Sequence, residues 1–214
     1  MCISVHQLCY VHADKEPLFQ NINLTVNTGQ RLALVGNNGT GKSTLLRIIE
    51  GNLKPSSGEV VCSSRPYYIP QHFGQFDNLA VAEALRVDDR IKALHAILEG
   101  DASAENFTCL NDDWDVEERC LSALASWNLE HLQLSQPMCS LSGGEKIRLL
   151  FCCLMIGNNA PDVFILDEPT NNLDIQSVDI ITAAIKSYSG TVLLISHDRY
   201  FVKEIKINRS VELF

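Results

Sequence analysis

The chain has 214 residues, 46% of them hydrophobic, with 17 Lys and Arg against 26 Asp and Glu for a formal net charge of −9. That length fits one α/β domain with a smaller helical part and a large core. No apolar run reaches the roughly eighteen residues of a membrane span, and the acidic balance argues against broad nucleic-acid binding by the surface as a whole, leaving room only for a local basic patch.

In chain order, residues 3–11 and 21–26 read as strands of an antiparallel part. The N-terminal stretch carries polar residues throughout and lacks a charged leader with an apolar core, so no signal peptide is expected. RLALVG, residues 31–36, is a buried strand, and STLLRIIEG after residue 42 is helical. Between them GNNGTGKST fits G-x-x-x-x-G-K-[ST], with Gly36, Gly41, Lys42 and Ser43 in the fixed places. The glycines let backbone N–H groups turn inward as a nest around a β-phosphate, and the following helix points its N-terminus at the same anion. Lys42 adds a mobile cation for the β- and γ-phosphates, and the Ser43 hydroxyl can ligate Mg²⁺, which takes few protein ligands. The candidate nucleotide contacts of the loop are Gly36, Asn37, Asn38, Gly39, Thr40, Gly41, Lys42, Ser43 and Thr44.

GEVVCS and YYIP follow as strands, the second leading to Gln71. Over residues 72–139 the pattern changes. Residues 80–100 and 115–132 read as amphipathic helices with apolar residues at three- and four-residue spacing, separated by the acidic, loop-like stretch of residues 100–114. LSGGE begins at Leu141. GGEKIRLLFCCLMI reads as a helix with an apolar face, Ser142 at its cap position, and free N–H groups that favour an anion. The eight cysteines include no C-x-x-C pair, which argues against zinc and for reduced thiols in a cytoplasm; Cys152 and Cys153 read as small apolar fillers.

Residues 163–166 form a continuous apolar run, as in a strand buried on both faces. Asp167 and Glu168 end it, where ligands sit in open α/β sheets. Asp167 would hold Mg²⁺ through water and Glu168 would polarise the attacking water, a division suited to phosphoryl transfer, which asks mainly for positioning and charge stabilisation. TVLLIS is a further strand leading to His197, and residues 207–214 read as a closing strand. There is no internal repeat and only one set of motifs.

The phosphate loop, Gln71, LSGGE, the strand ending in Asp167 and Glu168, TNNLD and His197 together resemble the ATP-binding cassette (ABC) superfamily, over nearly the whole chain; LSGGE is the discriminating piece. The resemblance implies an α/β P-loop NTPase fold of ABC type, a single ATPase domain over residues 1–214 with a mixed core sheet, a small antiparallel β part and a helical subdomain inserted at 72–139. It implies Mg²⁺-dependent ATP hydrolysis with Glu168, His197 and Gln71 as catalytic residues. Gln71 would touch Mg²⁺ and the water, His197 would hydrogen-bond the γ-phosphate, and Tyr10 would stack on adenine; Ser43, Gln71 and Asp167 are the metal candidates. Ser142, Gly143 and Gly144 would cap the γ-phosphate of a nucleotide held by a facing cassette. The phosphate loop and LSGGE would lie at opposite ends of one face, so two cassettes would close head to tail around ATP.

LSGGEKIRLL, DEPTNNLDI, YSGTVLLISHDRYFV and RSVEL look like the ABC-F group, soluble proteins with two cassettes in one chain, several of which act at the ribosome as translation or antibiotic-resistance factors. The short segment between Lys42 and Gln71 agrees. Asn172 departs from the His usual there, and a second cassette, a basic linker and an obvious helical arm are not seen. The chain reads as one cassette of a tandem protein, with Met1 and the strand-like start favouring the first. The partner is then a second cassette, as homodimer or tandem domain, with the ribosome beyond it. Two other readings stay open: the ATP-binding subunit of a membrane transporter, with a permease as partner, and a non-catalytic nucleotide-gated clamp, against which Glu168 and His197 speak.

Overall fold

The computed structural model describes residues 2–12, 16–156, 161–171 and 173–213; Met1 and Asn172 lie outside them. The chain divides into two compact units, one of Met1–Gln71, Pro161–Asn171 and Ile181–Phe214, the other of His72–Ala160 and Asn172–Ile180.

The first unit holds two sheets. β1 (Ile3–Val11), β2 (Pro17–Val26) and, after β3 (Arg31–Val35) and α1 (Lys42–Glu50), β4 (Ser57–Cys62) make an antiparallel sheet in the order β2-β1-β4. β2 starts before the stretch legible as a strand, because Phe19 pairs opposite Tyr10 and is buried. The other sheet is five parallel strands, with β5 (Tyr67–Ile69), β6 (Val163–Asp167), β7 (Thr191–Ile195) and β8 (Arg209–Glu212) joining β3 in the order β5-β6-β7-β3-β8. β6 and β7 are buried along their whole length, as continuous apolar strands covered on both faces should be. The register sets Asp167 beside Ile195, so the residues just past β6 and just past β7 emerge together at the carboxyl edge of the sheet. The core joins both sheets and α1 through Ile3, Leu8, Leu24, Leu45, Leu46, Ile165 and Leu193. The Arg31 guanidinium donates to the carbonyls of Ile185, Lys186, Tyr188 and Ile205, satisfying acceptors that helix ends leave without intrahelical partners.

The second unit is helical: α2 (Val81–Ala84), α3 (Asp88–Leu98), α4 (Ala104–Leu110), α5 (Val116–Ser126) and α6 (Gly143–Ile156), with the first residues of α7 (Ile175–Ser187). The helix expected over residues 80–100 is broken. Arg86 adopts φ 59°, and α3 restarts with Asp88 and Asp89 in its first turn, where acids suit the positive end of a helix. The break follows from Val81, Ala82, Ala84, Leu85 and Val87 all being buried, which is wider than the stripe one straight helix offers. The stretch expected as loop contains α4, which follows Ser103, carries Glu105 in its first turn and ends on Asn111 at φ 48°. Trp127 stacks on Phe151 of α6 at 5.8 Å. Arg119 pairs with Asp113 and Asp115 and donates to the Ile156 carbonyl. No helix among the described residues is long and apolar enough to cross a membrane.

Candidate functional site

The loop between β3 and α1 is shaped by two positions closed to side chains. Gly36 has φ 144°, and a Cβ there would lie 2.4 Å from the Leu213 carbonyl oxygen; Gly41 has φ 88°, and a Cβ there would strike Leu18 and Phe19 at 2.8 Å. α1 begins after Gly41 with no side-chain cap, leaving its first N–H groups for a ligand or solvent. The Lys42 ammonium donates to the carbonyls of Gly36 at 2.9 Å and Asn37 at 2.8 Å. It is thereby folded over its own loop, with one of its three hydrogens left for an anion. Thr40 closes the turn by donating its hydroxyl to the Asn37 carbonyl at 3.0 Å.

This loop forms one wall of a cavity of about 560 Å³, within the size range of small-molecule sites. Asn38, Gly39, Gly41, Lys42, Ser43 and Thr44 line it together with Gln71, Asp167, Glu168 and His197. Residues read as separate motifs over some hundred and sixty positions therefore share one space. Ser43 donates its hydroxyl to Asp167 Oδ1 at 3.1 Å, and Tyr68 donates to Oδ2 at 3.0 Å. A hydroxyl and a buried carboxylate meeting at the cavity wall, with the Gln71 amide lining the same space, are hard oxygen donors of the kind Mg²⁺ takes. This donor set is small, as suits an ion that keeps most of its water. Burial, with the Asp167 charge second, pushes the Tyr68 phenol well above its usual range, so it remains protonated and a donor.

Glu168 is buried and sits at φ 49°, a left-handed conformation that costs a residue with a side chain about 1–3 kcal/mol. Its N–H donates to the Ile195 carbonyl at 2.9 Å and its carbonyl accepts from Asn171 at 3.1 Å. Its carboxylate accepts from the His197 N–H at 3.2 Å, while the other oxygen lies 3.2 Å from His197 Nε2. The His197 side chain is 64% exposed, so the ring touches the carboxylate on one side and open space on the other.

Tyr10, expected to stack on adenine, is not among the residues that line the cavity. Tyr10 is half-buried in β1, its ring edge-on to His12 at 5.6 Å and tilted against Phe19 at 6.1 Å. The cavity lining there comes from His12 and Leu18, and Asn171 and Ile195 complete it. Asn171 lies in TNNLD, whereas His12, Leu18 and Tyr68 stand outside every motif. His12 follows Tyr10 by two residues, one position past the end of β1.

Ser142, Gly143 and Gly144 belong to the second unit. Ser142 is exposed and forms a reciprocal capping box with Glu145. Its hydroxyl and N–H donate to Glu145 Oε2 at 2.6 and 2.8 Å, and the Glu145 N–H donates back to the hydroxyl at 3.3 Å. His131 Nε2 lies 2.8 Å from the other carboxylate oxygen. The Ser142 hydrogen bonds, ahead of the His131 contact, hold the Glu145 carboxyl down at about 2. A Cβ at Gly143 would meet nothing within 4 Å, so the start of α6 is open.

A family model described as ABC transporter matches residues 19–171. ABC transporter F family member 2 of Arabidopsis thaliana is 36% identical over 211 residues, 99% of this chain but 28% of that protein. F family member 5 of the same plant is 36% identical over 211 residues, 99% of this chain and 27% of its own length. This chain thus spans little more than a quarter of these relatives. Among solved structures, an ATP-binding subunit of an ABC transporter superposes with TM-score 0.72 at 23% identity, covering 100% of this chain and 86% of that one; that likeness concerns the fold.

Proposed function

We propose that this chain, which belongs to the ABC transporter family, works as one half of an ATP-operated clamp. Its likeness to F-family proteins supports reading it as one cassette of an ABC-F protein, acting on the ribosome in translation or antibiotic resistance. The observation that carries the chemistry is the convergence of Lys42, Ser43, Gln71, Asp167, Glu168 and His197 on one cavity.

The triphosphate would lie in the loop of residues 36–44, against the N-terminus of α1, with the Lys42 ammonium on its β- and γ-phosphates. Ser43, Asp167 and Gln71 would hold Mg²⁺, which when bound supplies charge neutralisation across the β- and γ-phosphate oxygens. Glu168, pinned by its backbone and by His197, would accept a hydrogen bond from the attacking water and orient it. His197 would donate from its ring to the γ-phosphate. His12 and Leu18 line the wall left for the base, with Tyr10 packed behind His12. Ser142, with Gly143 and Gly144 at the start of α6, which is open at Gly143, would serve the γ-phosphate of a facing cassette, in a self-complementary head-to-tail pair. The second unit would be the helical subdomain of one ATPase domain, expected at residues 72–139.

Light scattering after size exclusion tests the clamp. Glu168→Gln with ATP should run as a dimer and without nucleotide as a monomer, and Ser142→Arg should abolish the dimer while keeping nucleotide bound. A Ser142→Arg protein that still dimerises with ATP refutes the facing role of LSGGE. Co-sedimentation of the Glu168→Gln dimer with ribosomes supports the ABC-F partner, and its absence, with binding to a permease, would move the chain to a transporter.

A further inference from the structure

Tyr68 stands outside every motif, yet its hydroxyl makes the second hydrogen bond to the carboxylate at the metal candidate site. The ring belongs to the core cluster of the first unit and the residue is 9% exposed. β5 is paired along its length with β6, Tyr68 opposite Ile165, so the phenol is held from both strand and core. Its O–H reaches Asp167 Oδ2 at 3.0 Å while Ser43 reaches Oδ1 at 3.1 Å. The two donors take different oxygens of one buried carboxylate. The phenol is rigid and neutral; the serine hydroxyl is a rotor on the cavity side. Tyr68 lies three residues before Gln71, so β5 carries the group that orients Asp167 and leads, two residues past its end, to a second candidate metal contact.

We propose that Tyr68 is a positioning residue of the cation site: by occupying Asp167 Oδ2 it fixes Oδ1 as the oxygen presented to the cation. This rests on the reading of the cavity as a nucleotide–metal site. A partner that orients a metal carboxylate from behind typically changes metal affinity by 10–100-fold. Removing the Tyr68 hydroxyl leaves the ring in the core and takes away the donor at Asp167 Oδ2.

The test is Mn²⁺ binding, read from the EPR signal of free Mn²⁺ in the presence of a non-hydrolysable ATP analogue. Wild type, Tyr68→Phe and, as a control that removes a hydroxyl from the same strand, Tyr67→Phe are compared. Tyr68→Phe should weaken Mn²⁺ binding by about 10-fold or more, keep the affinity for the analogue in EDTA, and Tyr67→Phe should match wild type. In an Asp167→Asn background, Tyr68→Phe should change nothing further, because the tyrosine acts through that carboxylate. Unchanged Mn²⁺ affinity in Tyr68→Phe, or an equal loss with Asp167→Asn present, overturns the inference. Wild-type protein that binds no Mn²⁺ with the analogue would instead overturn the functional reading beneath it.

Discussion

Replacing Lys42 tests how the phosphate loop works. Its ammonium bridges the Gly36 and Asn37 carbonyls at 2.9 and 2.8 Å, and only 8% of the residue is exposed. Truncation to Ala would therefore remove packing as well as charge, so Lys42→Met, which keeps an unbranched stem, is the sharper variant. A hydrogen bond to a charged group contributes about 1.5–3 kcal/mol, which corresponds to roughly a 10- to 150-fold loss of ATP affinity. The loop carbonyls lose their donor in the same variant, which loosens the free loop and adds to the loss. Isothermal calorimetry on wild type, Lys42→Met and Lys42→Ala reads this directly, with both variants weakened alike if charge is the cause. Lys42→Met binding within about twofold of wild type, well under 1.4 kcal/mol, would refute the role given to the ammonium; loss in Lys42→Ala alone would assign the effect to packing.

Three further expectations follow from the geometry. The Glu145 carboxyl is held at about 2 in the folded chain, below its unfolded value, so its contribution to stability is complete above the unfolded pKa of about 4.3 and fades as pH falls toward the folded one. Urea melts of wild type and Glu145→Gln should differ by a constant amount near neutrality and converge in acid, and a gap that persists undiminished at the lowest measurable pH refutes the capping account. His12→Ala should cost ATP binding about 1 kcal/mol or more, the scale of a base-stacking side chain, with little change for a bare triphosphate competitor; Tyr10→Leu having the larger effect would return the base contact to Tyr10. Phe151→Ala should destabilise the chain by about 3–5 kcal/mol, read by denaturant unfolding, because Phe151 is wholly buried and stacked on Trp127; a loss under 1 kcal/mol would mean that the cavity collapses.

Much of the site was legible because its chemistry is tied to local patterns. The loop of residues 36–44 announces itself by the spacing of Gly36, Gly41, Lys42 and Ser43, and the apolar run ending at Asp167 and Glu168 needs no tertiary knowledge to be read as a buried strand with acids at its edge. What sequence could not supply were contacts set by register. Tyr68 is an unremarked aromatic in YYIP until β5 pairs with β6 and its hydroxyl meets Asp167. His12 lines the cavity, whereas Tyr10, edge-on to it, is not part of the lining. The break at Arg86 was hidden because apolar residues at helical spacing run through residues 80–100, and only burial on more than one side reveals that the helix must turn. α4 was missed because its residues 104–110 are largely polar or exposed, although Ser103 and Asn111 mark its ends.

The proposed ATP hydrolysis in this cavity depends on Glu168 as the group that positions water. The most direct test is single-turnover ATP hydrolysis by wild type and Glu168→Gln, with nucleotide affinity measured on the same samples. Glu168→Gln should keep its ATP affinity and lose about 10²–10⁴ in rate, the range for a positioned general base. Hydrolysis in Glu168→Gln near the wild-type rate, with equal affinity, would contradict the account and shift the catalytic role toward Gln71 or His197.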